Sequence, residues 1–342
     1  MLKNIGTACL VALTLWGLTR PARADDCKLG RIASIDFTES EDGSILFPVS
    51  IQGTQKMVML DTGAEVSAVD PQVAADLHLT IHRIAEGYAF NGAGEPFTQM
   101  AVVHGLDIGQ MHAEEVRLLV WPSRLSSDGN LAGTFGADFL HHYDIDIDFG
   151  SHKLGFFSQD HCPGKVVYWP ATSVATIPIR VVKSGHIVMP VTLDSHSFDA
   201  MLDTGAPSHL SEGAAKSAFG LTADSPDMTR VNNFDLKTPV YRHAFKAMQL
   251  EGLTIANPTV YIWDDQTKDS MTQTPQLGSR ISDADEQSGV TDMVVGVGEL
   301  HHLHVYIAYK EQKLYVTAAS PPPDAHEEAP ATKGIQANSA NR

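Results

Sequence analysis

The chain has 342 residues, and its 41 acidic residues outnumber its 24 lysines and arginines, which gives a formal net charge of −17 at pH 7. A chain this acidic lacks the basic surface that binding to DNA or RNA requires. Its length is large for one hydrophobic core but sufficient for two. We therefore expect two lobes, no nucleic-acid partner, and a charge that mainly favours solubility.

The first 24 residues have the pattern of a secretory signal peptide. Lys3 supplies the positive charge, residues 5–18 are mostly apolar, and Ala22-Arg23-Ala24 fits an A-x-A cleavage site. An uncleaved membrane anchor is the alternative, but the apolar run is shorter than the ~20 residues that a membrane-spanning helix needs. We predict an exported protein, periplasmic or secreted, with no membrane span after cleavage.

Two cysteines, Cys27 and Cys162, lie beyond the signal peptide, whereas Cys9 lies inside it. An even pair of cysteines in an exported chain indicates one disulfide, although two free thiols remain the alternative. A Cys27–Cys162 bond would join the two ends of the segment between them.

Short strands dominate this segment. Asp70 and Pro71 have the pattern of a helix N-cap followed by proline in the first turn, and predict a short helix at 72–79. Residues 143–149 alternate apolar and acidic side chains, which predicts a half-exposed strand, and a helical turn is expected at 138–141. Residues Asn91 to Glu95 form a glycine-rich hairpin tip. The other predicted strands are 31–37, 45–51, 56–60, 66–69, 100–106, 116–121, 131–136 and 153–157.

The second half of the chain repeats the first. With an offset of 142 residues, Asp61-Thr62-Gly63-Ala64 aligns with Asp203-Thr204-Gly205-Ala206, and the flanking sequences align without a gap. Further on, the string from Gly136 to His142 aligns with the string from Gly296 to His302, now at an offset of 160. We predict two homologous lobes, at residues 25–162 and 163–318.

Two segments fall outside this repeat. The 18 additional residues fit in the polar stretch 265–289, for which we predict a flexible surface loop, with a processing site or a substrate-selecting loop as alternatives. Residues 319–342 are rich in Pro, Ala, Glu and Asn and have too little apolar surface to fold, so we predict a disordered tail.

The doubled Asp-Thr-Gly-Ala string, the glycine-rich hairpin and the later strings ending at Leu140 and Leu300 resemble the aspartic protease superfamily, in particular retropepsin-like proteases. Retroviral members supply one Asp-Thr-Gly per subunit, whereas pepsin-like members carry two in one chain. The resemblance covers residues 45–316. It implies an all-β fold with two retropepsin-like β-barrel lobes, short helices and a cleft between the lobes.

In such a fold, Asp61 and Asp203 would be the catalytic pair. Two facing carboxylates in a partly dry cleft cannot easily both ionise, so they share a proton. One member can then take a proton from water while the other donates one to the peptide carbonyl, without a metal or another cofactor. Because the titration belongs to the pair, the sequence does not identify the base.

The resemblance also assigns supporting roles around this pair. The Thr62 and Thr204 hydroxyls would cross-bond the two loops, and the strands ending near Gly136 and Gly296 would brace them. Small residues would let the loops approach closely; they are Gly63, Ala64, Gly205 and Ala206.

The hairpin would be a flap over the substrate, although a plain surface hairpin is the alternative. An extended peptide or protein segment would bind in the cleft by strand addition. The matching stretch 232–236 has no glycine, which favours one working flap. The flap candidates are Tyr88, Phe90, Asn91, Gly92, Ala93 and Gly94.

The chain also departs from the retroviral pattern. Glu65 and Pro207 follow the two motifs, and Ala137 and Val297 follow the later glycines, so the ion pair that braces retroviral dimers is missing. One covalent chain already holds both lobes, and we expect a monomer. His302 and His304 lie two residues apart without a third ligand, so we expect solvated side chains and no metal site.

These patterns predict an aspartic endopeptidase, either broad in specificity or restricted to one partner. The alternative function is an exported non-catalytic module that binds a peptide or protein on the same fold. A single Asp-Thr-Gly could also be an ordinary exit from a strand into a turn. Two copies in register favour the protease interpretation.

Overall fold

The computed structural model describes residues 28–85, 89, 91, 95–125, 131–231, 239–263 and 291–319. The predicted signal peptide, the loop at 265–289 and nearly all of the predicted tail lie outside these residues. Within them, strands predominate and the helices are short, which confirms the prediction of an all-β protein.

The strands of the first half are β1 (Arg31–Asp36), β2 (Thr38–Glu39), β3 (Ile45–Ile51), β4 (Thr54–Leu60), β5 (Ala68–Val69), β6 (Thr80–Arg83), β7 (Gln99–Ile108), β8 (Met111–Val120), β9 (Leu131–Phe135), β10 (Asp144–Asp148) and β11 (Lys153–Phe157). Its helices are α1 (Pro71–Asp76) and α2 (Ala137–Leu140).

The strands of the second half are β12 (Ala175–Pro178), β13 (Arg180–Val181), β14 (Ile187–Leu193), β15 (His196–Asp203), β16 (His209–Ser211), β17 (Thr229–Val231), β18 (Val240–Ala244), β19 (Ala247–Leu250), β20 (Leu253–Ala256), β21 (Thr259–Trp263), β22 (Met293–Gly296), β23 (Leu303–Ala308) and β24 (Lys313–Ala318). Its helices are α3 (Glu212–Phe219) and α4 (Val297–Leu300).

Each half builds its own sheet with the same central topology. In the first sheet, of order β2-β3-β4-β9-β5-β8-β7-β6, β9 is parallel to β4 and antiparallel to β5, and β3 also pairs with β7. In the second sheet, β22 is parallel to β15 and antiparallel to β16. The internal duplication seen in the sequence is therefore a structural duplication as well.

Local sequence explains why the first helix forms where it does. The Asp70 carboxylate accepts hydrogen bonds from the backbone N–H groups of Gln72 (2.8 Å) and Val73 (3.2 Å), which confirms the predicted N-cap. The helix ends at Asp76, earlier than predicted, because His78 takes a left-handed backbone conformation with φ of 51°.

A third sheet joins the halves. Its order is β1-β11-β10-β23-β24-β12, and β10 of the first half pairs with β23 of the second, with Ile145 opposite Ile307. The prediction of a half-exposed strand at 143–149 is wrong, because Asp144 and Asp146 are as buried as their apolar neighbours.

Hydrogen-bond partners accompany both of these buried acids. His161 Nε2 lies 2.6 Å from Asp144 Oδ2, and the Tyr309 N–H donates to Asp144 Oδ1 over 3.0 Å. His304 Nε2 lies 2.7 Å from Asp146 Oδ1, and the Tyr168 hydroxyl donates to Asp146 Oδ2. We call Asp144, Asp146, His161, His304 and Tyr168 the acid–histidine network.

The expectation that His304 is solvated is also wrong. Its ring is buried and stacks on Trp169 with centroids 3.8 Å apart. His302 is exposed.

Cys162 is disulfide-bonded, and its partner lies outside the described residues. Within the described ranges, no helix is long and apolar enough to cross a membrane.

Candidate active site

The two Asp-Thr-Gly-Ala loops meet where the two halves of the chain come together. Asp61 directly follows β4, and its backbone N–H donates to Phe135 O of the adjacent β9 over 3.0 Å. Asp203 is the last residue of β15, paired with Gly296 of β22. The same strand arrangement thus delivers one carboxyl group from each half.

Reciprocal hydrogen bonds join the loops through their threonines. The Thr62 hydroxyl donates to Leu202 O (2.8 Å) and accepts from the Thr204 N–H (3.0 Å). The Thr204 hydroxyl donates to Leu60 O (2.8 Å) and accepts from the Thr62 N–H (3.0 Å). Both threonines are buried, so this four-bond lattice fixes the relative position of the loops.

Glycine is required at the next position of each loop because the carboxyl group of the opposite loop occupies the space. A Cβ on Gly63 would lie 2.3 Å from Asp203 Cγ, and one on Gly205 would lie 2.5 Å from Asp61 Cγ. Each glycine N–H also donates to the aspartate of its own loop, over 3.0 Å to Asp61 Oδ1 and 2.7 Å to Asp203 Oδ1. The two carboxyl groups are therefore held together.

This environment changes the acidity of both groups. Burial raises the pKa of Asp61 well above its usual range, and the charge of Asp203 and a hydrogen bond between the two carboxyls raise it further. Burial also raises the pKa of Asp203, but the Gly205 N–H, the Asp61 carboxyl and His186 act in the opposite direction. The pair is thus arranged to hold a proton that an isolated aspartate would lose.

Behind each loop, a glycine and a short helix form a brace. The Ala137 N–H donates to Ala64 O (2.8 Å), and the Val297 N–H donates to Ala206 O (3.1 Å). A Cβ on Gly136 would lie 2.7 Å from Ala64 O, which leaves room only for glycine. The space at Gly296 is still smaller, since a Cβ added there would lie 2.1 Å from Ala206 O.

Sequence reasoning missed a serine–acid pair in each brace. Ser67 Oγ donates to Asp138 Oδ1 (2.5 Å) and accepts from the Gly136 N–H (3.0 Å). In the second half, Ser208 Oγ donates to Glu299 and accepts from the Gly296 N–H (2.8 Å). The serines lie six and five residues after the aspartates, and the acids two and three residues after the glycines, so a gap-free alignment does not superimpose them.

Of the predicted flap, the structure describes Asn91, which is buried. Its amide donates to Glu95 Oε2 and accepts from the Glu95 N–H, both over 2.9 Å, while the Phe97 N–H donates to Ala89 O. These bonds hold the described residues on either side of 92–94 together. The other flap candidates, Tyr88, Phe90, Gly92, Ala93 and Gly94, lie outside the described residues.

A metal site would need several ligands close together. In the part of the chain that the structure describes, no three side chains of His, Cys, Asp or Glu are grouped so that they could hold a metal ion.

Comparison with known families agrees with this doubled architecture. The chain matches the sequence profile of the aspartyl protease family over residues 47–139 and again over residues 189–279, which together are more than half of its length. The chain belongs to the aspartyl protease family. No curated protein shows significant sequence similarity to it.

Solved structures to which this chain is similar include a basic 7S globulin from soybean, at 11% identity and a TM-score of 0.45, over 86% of this chain and 96% of that one. An aspartic proteinase from Irpex lacteus is similar at 12% identity and a TM-score of 0.46, over 85% of this chain and 98% of that one. A retropepsin-like aspartic protease from Rickettsia conorii is similar at 16% identity and a TM-score of 0.29, over 38% of this chain and 93% of that one.

Proposed function

We propose that the protein is an exported aspartic endopeptidase, and that Asp61 and Asp203 activate the water that hydrolyses the peptide bond. The observation that carries this proposal is the position of the two carboxyls. Each comes from one half of the chain, lies against the glycine of the opposite loop and has a raised pKa. Such a pair can hold one proton between two acidic groups in the pH range in which a general acid and a general base must act together.

The reaction needs both protonation states at once. The ionised carboxylate takes a proton from water as the oxygen attacks the peptide carbonyl, and the protonated carboxyl donates its proton to the carbonyl oxygen. The carboxyl that took a proton from water gives that proton to the nitrogen, and the C–N bond of the tetrahedral intermediate breaks. As the carbonyl re-forms, one hydroxyl of the intermediate returns its proton to the other carboxylate, which yields an amine and a carboxylic acid and restores the pair. The threonine lattice supports this chemistry by keeping the carboxyls in place.

The substrate is an extended peptide segment lying between the halves, over the aspartate pair. The segment whose ends are joined by the hydrogen bonds between Asn91 and Glu95 belongs to the first half and is the candidate flap above the substrate. The disulfide at Cys162 supports an oxidising compartment, and hence export. We expect the protein to act as a monomer, because both carboxyls come from one chain.

The test is cleavage of a complex peptide library by the mature protein, residues 25–342, between about pH 3 and pH 7. Asp61→Asn and Asp203→Asn serve as folded controls, since each keeps the side-chain size and removes one titrating group. We expect the wild type to cut and both variants to be silent. A folded wild type that retains peptides at every pH without cutting them would instead identify a binding module.

A further inference from the structure

The sheet of the first half carries the main core on one face and a smaller apolar cluster on the opposite face. Leu60 and Phe135 belong to the main core. Their chain neighbours Met59 and Thr134 are directly opposed in the β4–β9 register, so these two side chains point to the other face. Thr134 is also opposed to Ala68, which belongs to the smaller cluster. It therefore lies between that cluster and the strand that leads into the first aspartate loop.

We call the smaller group the second cluster. The buried Ala68, Phe97 and Leu119 form its centre, and the side chains packed against them include Val66, Ala89 and Trp121. Val66 belongs to the first aspartate loop, whereas Ala89 and Phe97 flank the candidate flap and are joined by a backbone hydrogen bond of 2.9 Å. The second cluster thus lies between the aspartate loop and the candidate flap, where the proposed function places the substrate.

Two polar groups that border the second cluster are buried without a hydrogen-bond partner in the part of the chain that the structure describes. They are the Thr134 hydroxyl and the Trp121 indole N–H. Thr134 is 1% exposed, and the Trp121 ring lies 5.4 Å from the Phe97 ring, centroid to centroid. A buried donor or acceptor without a partner lowers stability. The free protein therefore carries a cost at both groups that a bound hydrogen-bonding group would remove.

The second half shows that the fold does not need the Thr134 hydroxyl. The equivalent residue, two positions before the brace glycine, is Val294, which is opposed to Met201 on one side and to His209 on the other. Val294 is buried to the same degree, at 2% exposure. Valine has the shape of threonine with a methyl group in place of the hydroxyl. The hydroxyl is therefore particular to the first half, and folding does not account for it.

The chemistry of the two groups defines what they can bind. An indole N–H only donates, whereas a threonine hydroxyl both donates and accepts, so a ligand group needs an acceptor oxygen to serve both. The described side chains of the second cluster are apolar, and a charged group would be buried there without a counter-ion. A carboxamide meets both conditions, because it is neutral and its oxygen can accept from either group.

We propose that the second cluster lines a substrate pocket that selects an asparagine or glutamine side chain close to the cleaved bond, with Thr134 and Trp121 as specificity-determining residues. This inference rests on the proposed peptidase function for its place in the reaction. The second half has Val294 at the equivalent place and has no such selection there. One position beside the cleaved bond is therefore selective for an amide.

The experiment compares the cleavage products of a peptide library for the wild type and Thr134→Val. The wild type should favour Asn or Gln over Leu at one position beside the cut, and Thr134→Val should lower that preference by about tenfold, the effect of one hydrogen bond. Trp121→Phe should lower it in the same direction, whereas Thr134→Ser keeps a hydroxyl and should retain it. Thr80→Val makes the same change at an exposed site and is the control that should leave the preference unchanged.

Thermal unfolding of the free protein gives a readout that does not depend on cleavage. Thr134→Val should be at least as stable as the wild type, because it removes a hydroxyl that has no partner among the described residues. A loss of stability would show that the hydroxyl is bonded within the fold and would overturn the inference. A wild type that cuts without favouring Asn or Gln, or an unchanged preference in Thr134→Val, would overturn it as well.

If the wild type cuts no peptide, the proposed function fails and binding tests the pocket separately. Peptides that the wild type retains from the same library should then be enriched in Asn and Gln, and Thr134→Val should lose this enrichment. Retention without the enrichment, or no retention at all, would overturn the inference.

Discussion

Asp203 is buried and Asp61 is half-buried where the two halves meet. Asp144 and Asp146 on β10 are buried as well, but the two regions surround their carboxyls differently. In the acid–histidine network each carboxylate faces a histidine and a further donor, at 2.6 Å for His161 and 2.7 Å for His304. In the aspartate pair each carboxyl faces the other, with one backbone N–H from its own loop. The first arrangement gives the charge of each acid complementary hydrogen-bond partners. The second places two carboxyl groups side by side, and these repel each other when both are ionised.

This difference supports a structural role for the acid–histidine network and, in the proposed peptidase, a chemical role for the aspartate pair. A buried acid with complementary partners contributes to a unique and rigid junction, here the sheet that joins the halves. A buried acid whose neighbour is another acid keeps a perturbed acidity that proton transfer can use. Both regions depend on the duplication, since each assembles groups from both halves.

The same substitution made in both regions gives the largest contrast. Asp61→Asn or Asp203→Asn should lower peptidase activity by about 10³-fold or more, because one of the two proton-transfer groups is lost. Their thermal stability should stay the same or rise, since the competition between like groups is relieved. Activity and thermal unfolding measured on the same samples test this.

Asp146→Asn is the matched control. It removes the charge that faces His304 and the Tyr168 hydroxyl, so stability should fall while activity per folded molecule is retained. Equal effects of the substitution in the two regions would contradict the division between structure and chemistry.

Removing a histidine tests the network alone. His161→Ala leaves Asp144 and Glu311 without the imidazole between them, from which they lie 2.6 and 3.5 Å away. We expect a loss of about 3–5 kcal/mol in the free energy of unfolding, the cost of leaving a buried charge uncompensated. Urea unfolding measures it, and His302→Ala, at an exposed site, should change stability by less than about 0.5 kcal/mol.

The sequence predicted the aspartate loops better than the network, for a physical reason. A close approach between backbone loops demands glycine and small residues, so Gly63 and Gly205 leave a local pattern that repeats at a constant offset. Partners in the network are remote in sequence, since His304 lies 158 residues from Asp146. The alternation of acidic and apolar residues in β10 therefore indicated a strand with one solvent-exposed face.

The positions of helices and strands were predicted well where the signal lies within a few neighbouring residues, as with the N-cap at Asp70. The length of α1 was predicted less well, because the left-handed backbone conformation of His78 ends the helix.

A substitution in the threonine lattice should lower both stability and activity, and its effect on stability should be smaller than that of His161→Ala. Thr62→Val keeps the shape of the side chain but removes the hydroxyl that donates to Leu202 O and leaves the Thr204 N–H unsatisfied. We expect a loss of about 1–3 kcal/mol in unfolding free energy, together with lower activity, because the carboxyls lose their fixed spacing. Thr62→Ser keeps the hydroxyl and should keep most of both. If Thr62→Val matched Thr62→Ser in stability and activity, the lattice would have no role.

The smallest effect we predict is a dependence of stability on pH. Variants of the two regions show which region contributes more to this dependence. The pKa values of Asp61, Asp203, Asp144 and Glu299 are all raised in the folded protein, in each case mainly by burial. A raised pKa means that the folded state holds the proton more tightly than the unfolded state. The resulting stabilisation is fully present below the unfolded value and is lost as the pH rises through the folded value.

Thermal unfolding should therefore occur several degrees higher near pH 4 than near pH 7. Asp61→Asn should flatten this dependence more than Asp144→Asn, because His161 and the Tyr309 N–H already favour the ionised form of Asp144 and thus limit its shift. Nothing comparable favours ionised Asp61 beyond the backbone of its own loop. Asp224→Asn, at an exposed turn, is the control and should leave the slope unchanged. A steeper flattening by Asp144→Asn would place the main acid-dependent stabilisation in the network rather than in the aspartate pair.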